Sequence, residues 1–365
     1  MKILIGSDVV PTVATDDLFV KGDIDALFGK VCGLAKGMDK IIVNLECALT
    51  DGEDRIKKFG PNLKGSKEAV NGLKKLGVTE VLLSNNHVFD FGIKGIRDTM
   101  QALDDAGIPY TGVGENDTDS RKPYYFELEG KRVGIVNVCE HEYTYALPNR
   151  IGANPFDPFI TMQDIRETKK NCDYLIVCYH GGKEYCQYPS PRLYNLCHEM
   201  VLCGADVVLT QHSHCVGCYE QYEGGHIVYG QGNFNFVYSD LSSRNPLWLT
   251  SLLVELDIED EIKIKFHPIV GTETGCDLAE GKEAAEIMAG FEKRNAELLD
   301  GTWRDGWHAF CTDPERAYYH DKIVNACDTP EKLQLFAHYL DCEAHTDVWR
   351  ELYPTWNLTN EISEA

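Results

Sequence analysis

The sequence predicts a layered or doubly wound α/β protein with a helical C-terminal appendage. Three observations lead there: short apolar runs end repeatedly in polar clusters, helical patterns separate them with a βα period of roughly 40 residues, and helical patterns replace strands beyond about residue 270. At 365 residues and 43% hydrophobic content the chain can bury a substantial core, as one large or two medium domains. The expected division is a main domain over 1–270 and a helical appendage over 271–365.

Taken in order, Lys2-Ile3-Leu4-Ile5 opens a short buried strand that ends at Asp8, and Pro11 bars its extension. Alone, an aspartate there reads as a turn residue or helix cap. Ile24, Leu27, Phe28, Val31 and Leu34 predict a helix over 23–36 with Gly37 as its stop. A second strand over 39–43 ends in Asn44 and Glu46, and residues 51–65 read as an exposed loop. A helix over 66–76, capped by Ser66, leads into a third strand that breaks off at Ser84-Asn85-Asn86-His87. Another helix covers 93–106, a strand and turn cover 108–114, and 124–128 pairs with 133–138 around Glu129-Gly130-Lys131 as a hairpin.

The run 173–179 is another buried strand, followed by His180-Gly181-Gly182-Lys183-Glu184-Tyr185, and a helix over 192–203 comes next. The stretch 203–236 reads as two short buried strands. Val207-Val208-Leu209 runs into Thr210-Gln211-His212-Ser213-His214, and Ile227-Val228-Tyr229 into Gly230-Gln231-Gly232-Asn233. Residues 252–258 and 262–266 form a hairpin, then helical patterns cover 284–299, 315–326 and 331–339. The aromatic stripe there, Trp303, Trp307, Tyr318, Tyr319 and Trp349, reads as packing against the main domain.

Composition narrows the function. A formal charge of -23 argues against nucleic acid or an anionic membrane surface as a partner, since both require clustered Lys and Arg. No run of about 18 apolar residues suggests a membrane span, and the N-terminus is too short and polar for a signal peptide, so a cytoplasmic location is expected. The fourteen cysteines fit reduced thiols, and Cys215-Val216-Gly217-Cys218, without a second such pair, reads as free thiols rather than a zinc site.

In an open α/β sheet, groups that follow the carboxyl ends of strands gather in one crevice. Five strands here end in Asp8, Asn44/Glu46, Asn86/His87, His180/Glu184 and His212/His214. The set Asp8, Glu46, Asn86, His180, His212 and His214 mixes oxygen with imidazole, which suits Mn, Fe or Zn better than calcium. Two ions about 3.5 to 4 Å apart, as used for displacement at phosphorus, fit such a set. His87, beside Asn86, is free to protonate a leaving oxygen; read alone, it could cap the following helix, and Asn44 and Asn233 could bond loop backbone.

The ordered motifs Gly-Ser-Asp (6–8), Asn-Leu-Glu (44–46), Ser-Asn-Asn-His-x-x-Asp-x-Gly (84–92), Tyr-His-Gly-Gly-x-Glu-Tyr (179–185), Gly-Ala-Asp-Val-Val-x-x-x-His-x-His (204–214) and Gly-Asn-Phe-x-Phe (232–236) resemble the bacterial capsule synthesis family. The CapA and PgsA proteins of poly-γ-glutamate capsule synthesis belong to that family, which is similar in turn to calcineurin-like metallophosphoesterases. The resemblance covers about residues 1–270. It implies a four-layer α/β/β/α metallophosphoesterase-like sandwich with Asp8, Glu46, Asn86, His180, His212 and His214 as metal ligands. Glu46 would bridge, His87 would be the general acid, and Glu184 a further catalytic candidate. Asn44, Asn85, Asp90 and Asn233 would touch substrate or steady the ligands. One or two divalent ions are implied, Mn first, with Fe, Zn or Mg as alternatives.

Two departures matter. Val10 stands where the broader phosphoesterase pattern has a histidine, so the first metal loses a ligand, and Glu46 stands where that pattern has Asp. An N-terminal anchor of the kind usual in membrane-attached capsule proteins is not expected here. The function expected first is hydrolysis of a small-molecule phosphoester by metal-activated water with His87 as acid. A hydrolase or transferase on γ-glutamyl or amide bonds of capsule polymer comes second, and a non-catalytic scaffold third; the oligomeric state is left open.

Overall fold

A computed structural model describes residues 1–354 apart from residues 239 and 317. Two sheets lie face to face. The first is built on Lys2–Val10, which is flanked in parallel by Lys40–Leu45, followed by Glu80–Leu82 and Tyr110–Thr111. On the other side it pairs antiparallel with Thr250–Ile258, followed by Ile262–Gly271 and Cys276–Leu278. The second sheet runs Val216–Tyr222, Gly225–Gln231, Val207–Gln211, Tyr174–His180, Lys131–Cys139, Tyr124–Leu128. Its central strands are parallel, and the pairs at both edges are antiparallel.

Side-chain alternation assigns the layers. Ile3, Ile5, Ile42 and Leu82 of the first sheet pack onto Ile135, Ile176, Cys178, Val207, Leu209 and Val228 of the second, forming the core between them. The intervening residues point outward. Leu4, Val43 and Val81 meet the helical layer containing Phe19, Phe28, Leu73 and Ile96, while Val177, Tyr179 and Val208 meet Ile165, Leu193 and Met200. Strands buried on both faces read as continuous apolar runs, which is how they appear in the sequence. The result is the four-layer α/β/β/α sandwich that the resemblance implied.

The helices after Gly281 extend the outer layer over the second sheet. Trp303, Trp307, Tyr319 and Val348 join its core, so most of the aromatic stripe is packing. The edge strand Val216–Tyr222 is covered by the helix Gly281–Asp300: Asn295 Oδ1 accepts from Tyr219 N at 2.7 Å and Arg294 donates to Gly217 O at 2.9 Å. Such cover blunts an edge that would otherwise pair with another chain. Farther on, Asp347 accepts from Arg192 Nε at 2.8 Å and from the Ser190 hydroxyl at 2.6 Å. No helix among the described residues is long and apolar enough to cross a membrane.

Several local expectations are corrected. The helix over 23–36 is two short helices, Ile24–Phe28 and Val31–Ala35, because Gly29 adopts φ 47. Ser66 does not cap its helix; its hydroxyl bonds the Asp16 carboxylate instead. The stretch 203–236 holds four strands rather than two, since Val216–Tyr222 and Asn233–Phe236 also pair. Polar tyrosine, glutamate and asparagine residues in those two segments hide the strand period. Two helices, Trp303–Thr312 and Glu343–Leu352, also add to the three expected in the tail.

Candidate metal centre

The strand ends converge on one buried cluster because both sheets present their carboxyl ends to the same edge. Asp8 sits where the pairing of Lys2–Val10 shifts register, opposite Asn44 on one side and Asn233 on the other. Asn44 Nδ2 donates to Asp8 Oδ1 at 2.7 Å, and the Ser7 hydroxyl donates to the same oxygen at 3.0 Å. Gly232 permits the close approach of Asn233: its φ is 78, and a Cβ there would lie 2.7 Å from Thr250 O. His212 and His214 follow their strand with φ of 89 and 53. Non-glycine residues held there cost about 1–3 kcal/mol each and persist where surrounding structure enforces them, often at functional sites.

Glu46 occupies the centre. His180 Nε2 lies 3.3 Å from its Oε1 and His212 Nδ1 3.9 Å, while His214 Nδ1 is 3.4 Å from Asp8 Oδ2. Asn86 Oδ1 is 2.9 Å from His180 Nε2. Three groups have donor atoms close enough to share an ion: Glu46, His180 and His212; Asp8, Glu46 and His214; and Glu184, His212 and His214. Glu46 is fully buried, and neither of its oxygens nor His212 Nδ1 has a hydrogen-bond partner among the described residues. Buried polar atoms are nearly always paired, so orphaned oxygens ringed by imidazoles fit a divalent cation. Val10 is a buried apolar residue.

Charge follows the same logic. Burial works against the charged His214, yet Glu46 and Asp8 outweigh it and hold the ring up at about 10. Burial likewise opposes Glu46, and His214, His180 and His212 overcome it, keeping the carboxyl well below the usual range. Glu184 is also drawn below its ordinary value against burial, chiefly by Lys183 and His212.

His87 stands at the rim. Its Nδ1 lies 2.6 Å from Asp90 Oδ2, and its backbone N–H donates to Asn85 Oδ1 at 3.1 Å. Asn85 in turn donates to Asn44 Oδ1 at 3.0 Å and Leu45 O at 2.9 Å, tying two strand ends together. Asn233 Oδ1 lies 2.8 Å from His214 Nδ1. Burial, then Lys58, lower the His87 pKa despite Asp90.

Lys58 gave no signal in the sequence, and it overturns the reading of 51–65 as wholly exposed. Its side chain is 3% accessible, with Nζ 2.5 Å from Asp90 Oδ1 and 3.1 Å from His87 Nδ1. Glu142 was missed as well: burial pushes its carboxyl up to about 7. Glu142 and Lys58 line a cavity of about 260 Å³ with His87, Lys183 and Glu184, and Leu335, His338 and Tyr339 of the tail close the other wall. The turn after His180 is braced from behind, since Glu140 accepts from Gly182 N at 3.0 Å and from Arg192 at 2.5 Å. The same Arg192 holds Asp347 of the tail.

Residues 2–238 match the family described as Bacterial capsule synthesis protein PGA_cap. Capsule biosynthesis protein CapA of Bacillus anthracis is 32% identical over 221 residues, 58% of this chain and 54% of that protein. PGA biosynthesis protein CapA of Bacillus subtilis (strain 168) is 32% identical over 219 residues, 58% of this chain and 57% of that protein. The chain thus spans little more than half the length of these curated relatives. A crystal structure of a hypothetical protein from Thermus thermophilus superposes on 73% of this chain and 98% of its own at a TM-score of 0.49 and 17% identity. With all six sequence motifs inside the matched region, the chain belongs to the bacterial capsule synthesis protein family PGA_cap.

Proposed function

We propose that this chain is a metal-dependent phosphoester hydrolase that holds one or two divalent ions, Mn²⁺ first among them. The ligands are Asp8, Glu46, Asn86, His180, His212 and His214, with Glu184 adding a donor to the set from which Val10 withholds one. The observation that carries the reading is Glu46, a fully buried carboxylate beside His180 and His212, neither of whose oxygens has a hydrogen-bond partner among the described residues. Buried polar atoms are nearly always hydrogen-bonded, and mixed imidazole and carboxylate donors suit Mn, Fe or Zn. A divalent ion bound here would polarise the phosphoryl oxygens and acidify a water.

The chain's own groups do the rest. Asp90 accepts the His87 Nδ1 proton, which leaves Nε2 to hold the proton that departs with the ester oxygen. Lys58 locks Asp90 and so the ring. Asn85 and Asn44 keep the strand ends in register, and Asn233 fixes the orientation of His214. The main domain over 1–270 carries this chemistry, and the appendage beyond it walls one side of the site.

Ions counted per chain after re-equilibration of untagged protein with Mn²⁺, followed by a phosphoester screen, test the reading. One or two ions with turnover support it. No ion, with a melting curve indifferent to Mn²⁺, overturns it in favour of a scaffold that retains the fold. A second reading, a hydrolase or transferase on γ-glutamyl or amide bonds of capsule polymer, is favoured by the names of the two Bacillus relatives. A charge of -23 makes an anionic polymer an awkward partner, and hydrolysis of poly-γ-glutamate set against simple phosphodiesters separates the two.

A further inference from the structure

A cavity of about 320 Å³ opens beside His87, Glu184 and His214, and the rest of its wall is apolar or aromatic: Pro61, Leu63, Tyr185, Phe236, Tyr238 and Trp248. The wall is preformed. Trp248 Nε1 donates to Phe236 O at 2.8 Å, and its ring packs edge-on against Phe236 and Tyr238 at 4.8 and 4.7 Å. A second cavity of about 500 Å³ abuts the first, sharing Leu63, Phe236 and Tyr238, and continues past Val10, Phe91 and Val237 to Val13, with Thr12, Arg55, Asn62 and Lys64 also in its wall. Val13 is fully exposed and Tyr238 is 49% exposed. Predominantly apolar surface of this kind, with His87, Glu184 and His214 gathered at its inner end, marks a ligand groove.

We propose that the ester group of the substrate is an extended apolar chain, which leaves the reaction centre through the inner cavity and crosses Tyr238 into the outer one. This rests on the phosphoester reading above. A single planar ring would reach only the inner cavity and leave the outer one empty, whereas an extended alkyl chain covers both. In the reaction the P–O bond to the chain breaks and a P–O bond to the oxygen of water forms. His87 gives its proton to the chain's oxygen, so the products are an alcohol and inorganic phosphate. His87 lines the inner cavity, where that leaving oxygen would emerge.

The test compares methyl, hexyl and dodecyl phosphate, each below its micelle concentration, as substrates of the Mn²⁺-loaded full chain. Calorimetric titration with hexyl- and dodecylphosphonate, which cannot be hydrolysed, runs beside it. Each buried methylene contributes about fourfold in affinity for a buried chain, so kcat/KM should rise at least about 100-fold from methyl to hexyl and again to dodecyl. Val13→Asp, at the outer cavity, should cut the dodecyl-to-hexyl ratio by about tenfold or more. Turnover independent of chain length, or a ratio unmoved by Val13→Asp, overturns the groove and leaves the hydrolase reading standing. Phosphonate affinity that climbs with length while no ester turns over supports the groove and removes the hydrolase reading.

Discussion

His87 and His214 each sit against an aspartate, at 2.6 and 3.4 Å, and both are buried, yet their protons respond in opposite directions. Burial and the neighbouring Lys58 push His87 down, and Asp90 does not make up the difference. His214 suffers the same burial, but Glu46 adds a second carboxylate to Asp8 and the ring rises to about 10. The closer carboxylate goes with the lower pKa, so distance to a partner does not decide the outcome. The balance of charge around each ring does. A cluster with surplus carboxylate attracts cations, whether protons or metal ions, while a ring next to a lysine is kept ready to give up its proton.

The comparison can be broken most decisively at the ligand cluster. His214→Ala should lose metal by more than the roughly 10–100-fold seen when a ligand's supporting partner is removed, and activity should fall with it; metal counting by mass spectrometry reads this directly. His87→Ala should lower kcat by about 10²–10⁴-fold with the ion count per chain unchanged. Loss of metal from that variant would sink the assignment of roles.

Smaller effects sharpen the contrast. Lys58→Met removes the charge that disfavours protonated His87, so the alkaline limb of the pH–rate profile should move to higher pH, with less than about tenfold change in neutral-pH turnover. A limb that stays in place removes Lys58 from the account. In metal-free protein, His214 is raised from 6.5 to about 10, so its contribution to stability is complete below about pH 6.5 and lost as pH rises through about 10. The melting temperature of the metal-free chain should fall across that window, and saturating Mn²⁺ should flatten the decline because metal takes the place of the proton.

Much of this was legible in the chain. Buried strands announce themselves as apolar runs, and the polar group closing a run falls at or near a strand end, so Asp8, Glu46, Asn86, His180, His212 and His214 could be named as candidates before any geometry was known. The strand expected to end at Asp8 nonetheless runs on to Val10. The strands Val216–Tyr222 and Asn233–Phe236 could not, because each mixes polar residues into faces that tertiary contacts bury. Lys58 was equally hidden. It lies among charged residues of a loop, and only the fold of that loop over Asp90 takes it out of water.

The local pattern of the sequence determined most of the strands, the neighbourhood of their ends and the kinds of side chain found there, since periodicity and turn residues act over a few positions. Tertiary structure alone decided which carboxylate faces which imidazole, that Lys58 stands at His87, and that His338 and Tyr339 of the tail wall the same cavity as Glu142. Those pairings join residues up to about 200 positions apart. They depend on how two sheets and an appendage dock, and no local signal in the chain records that.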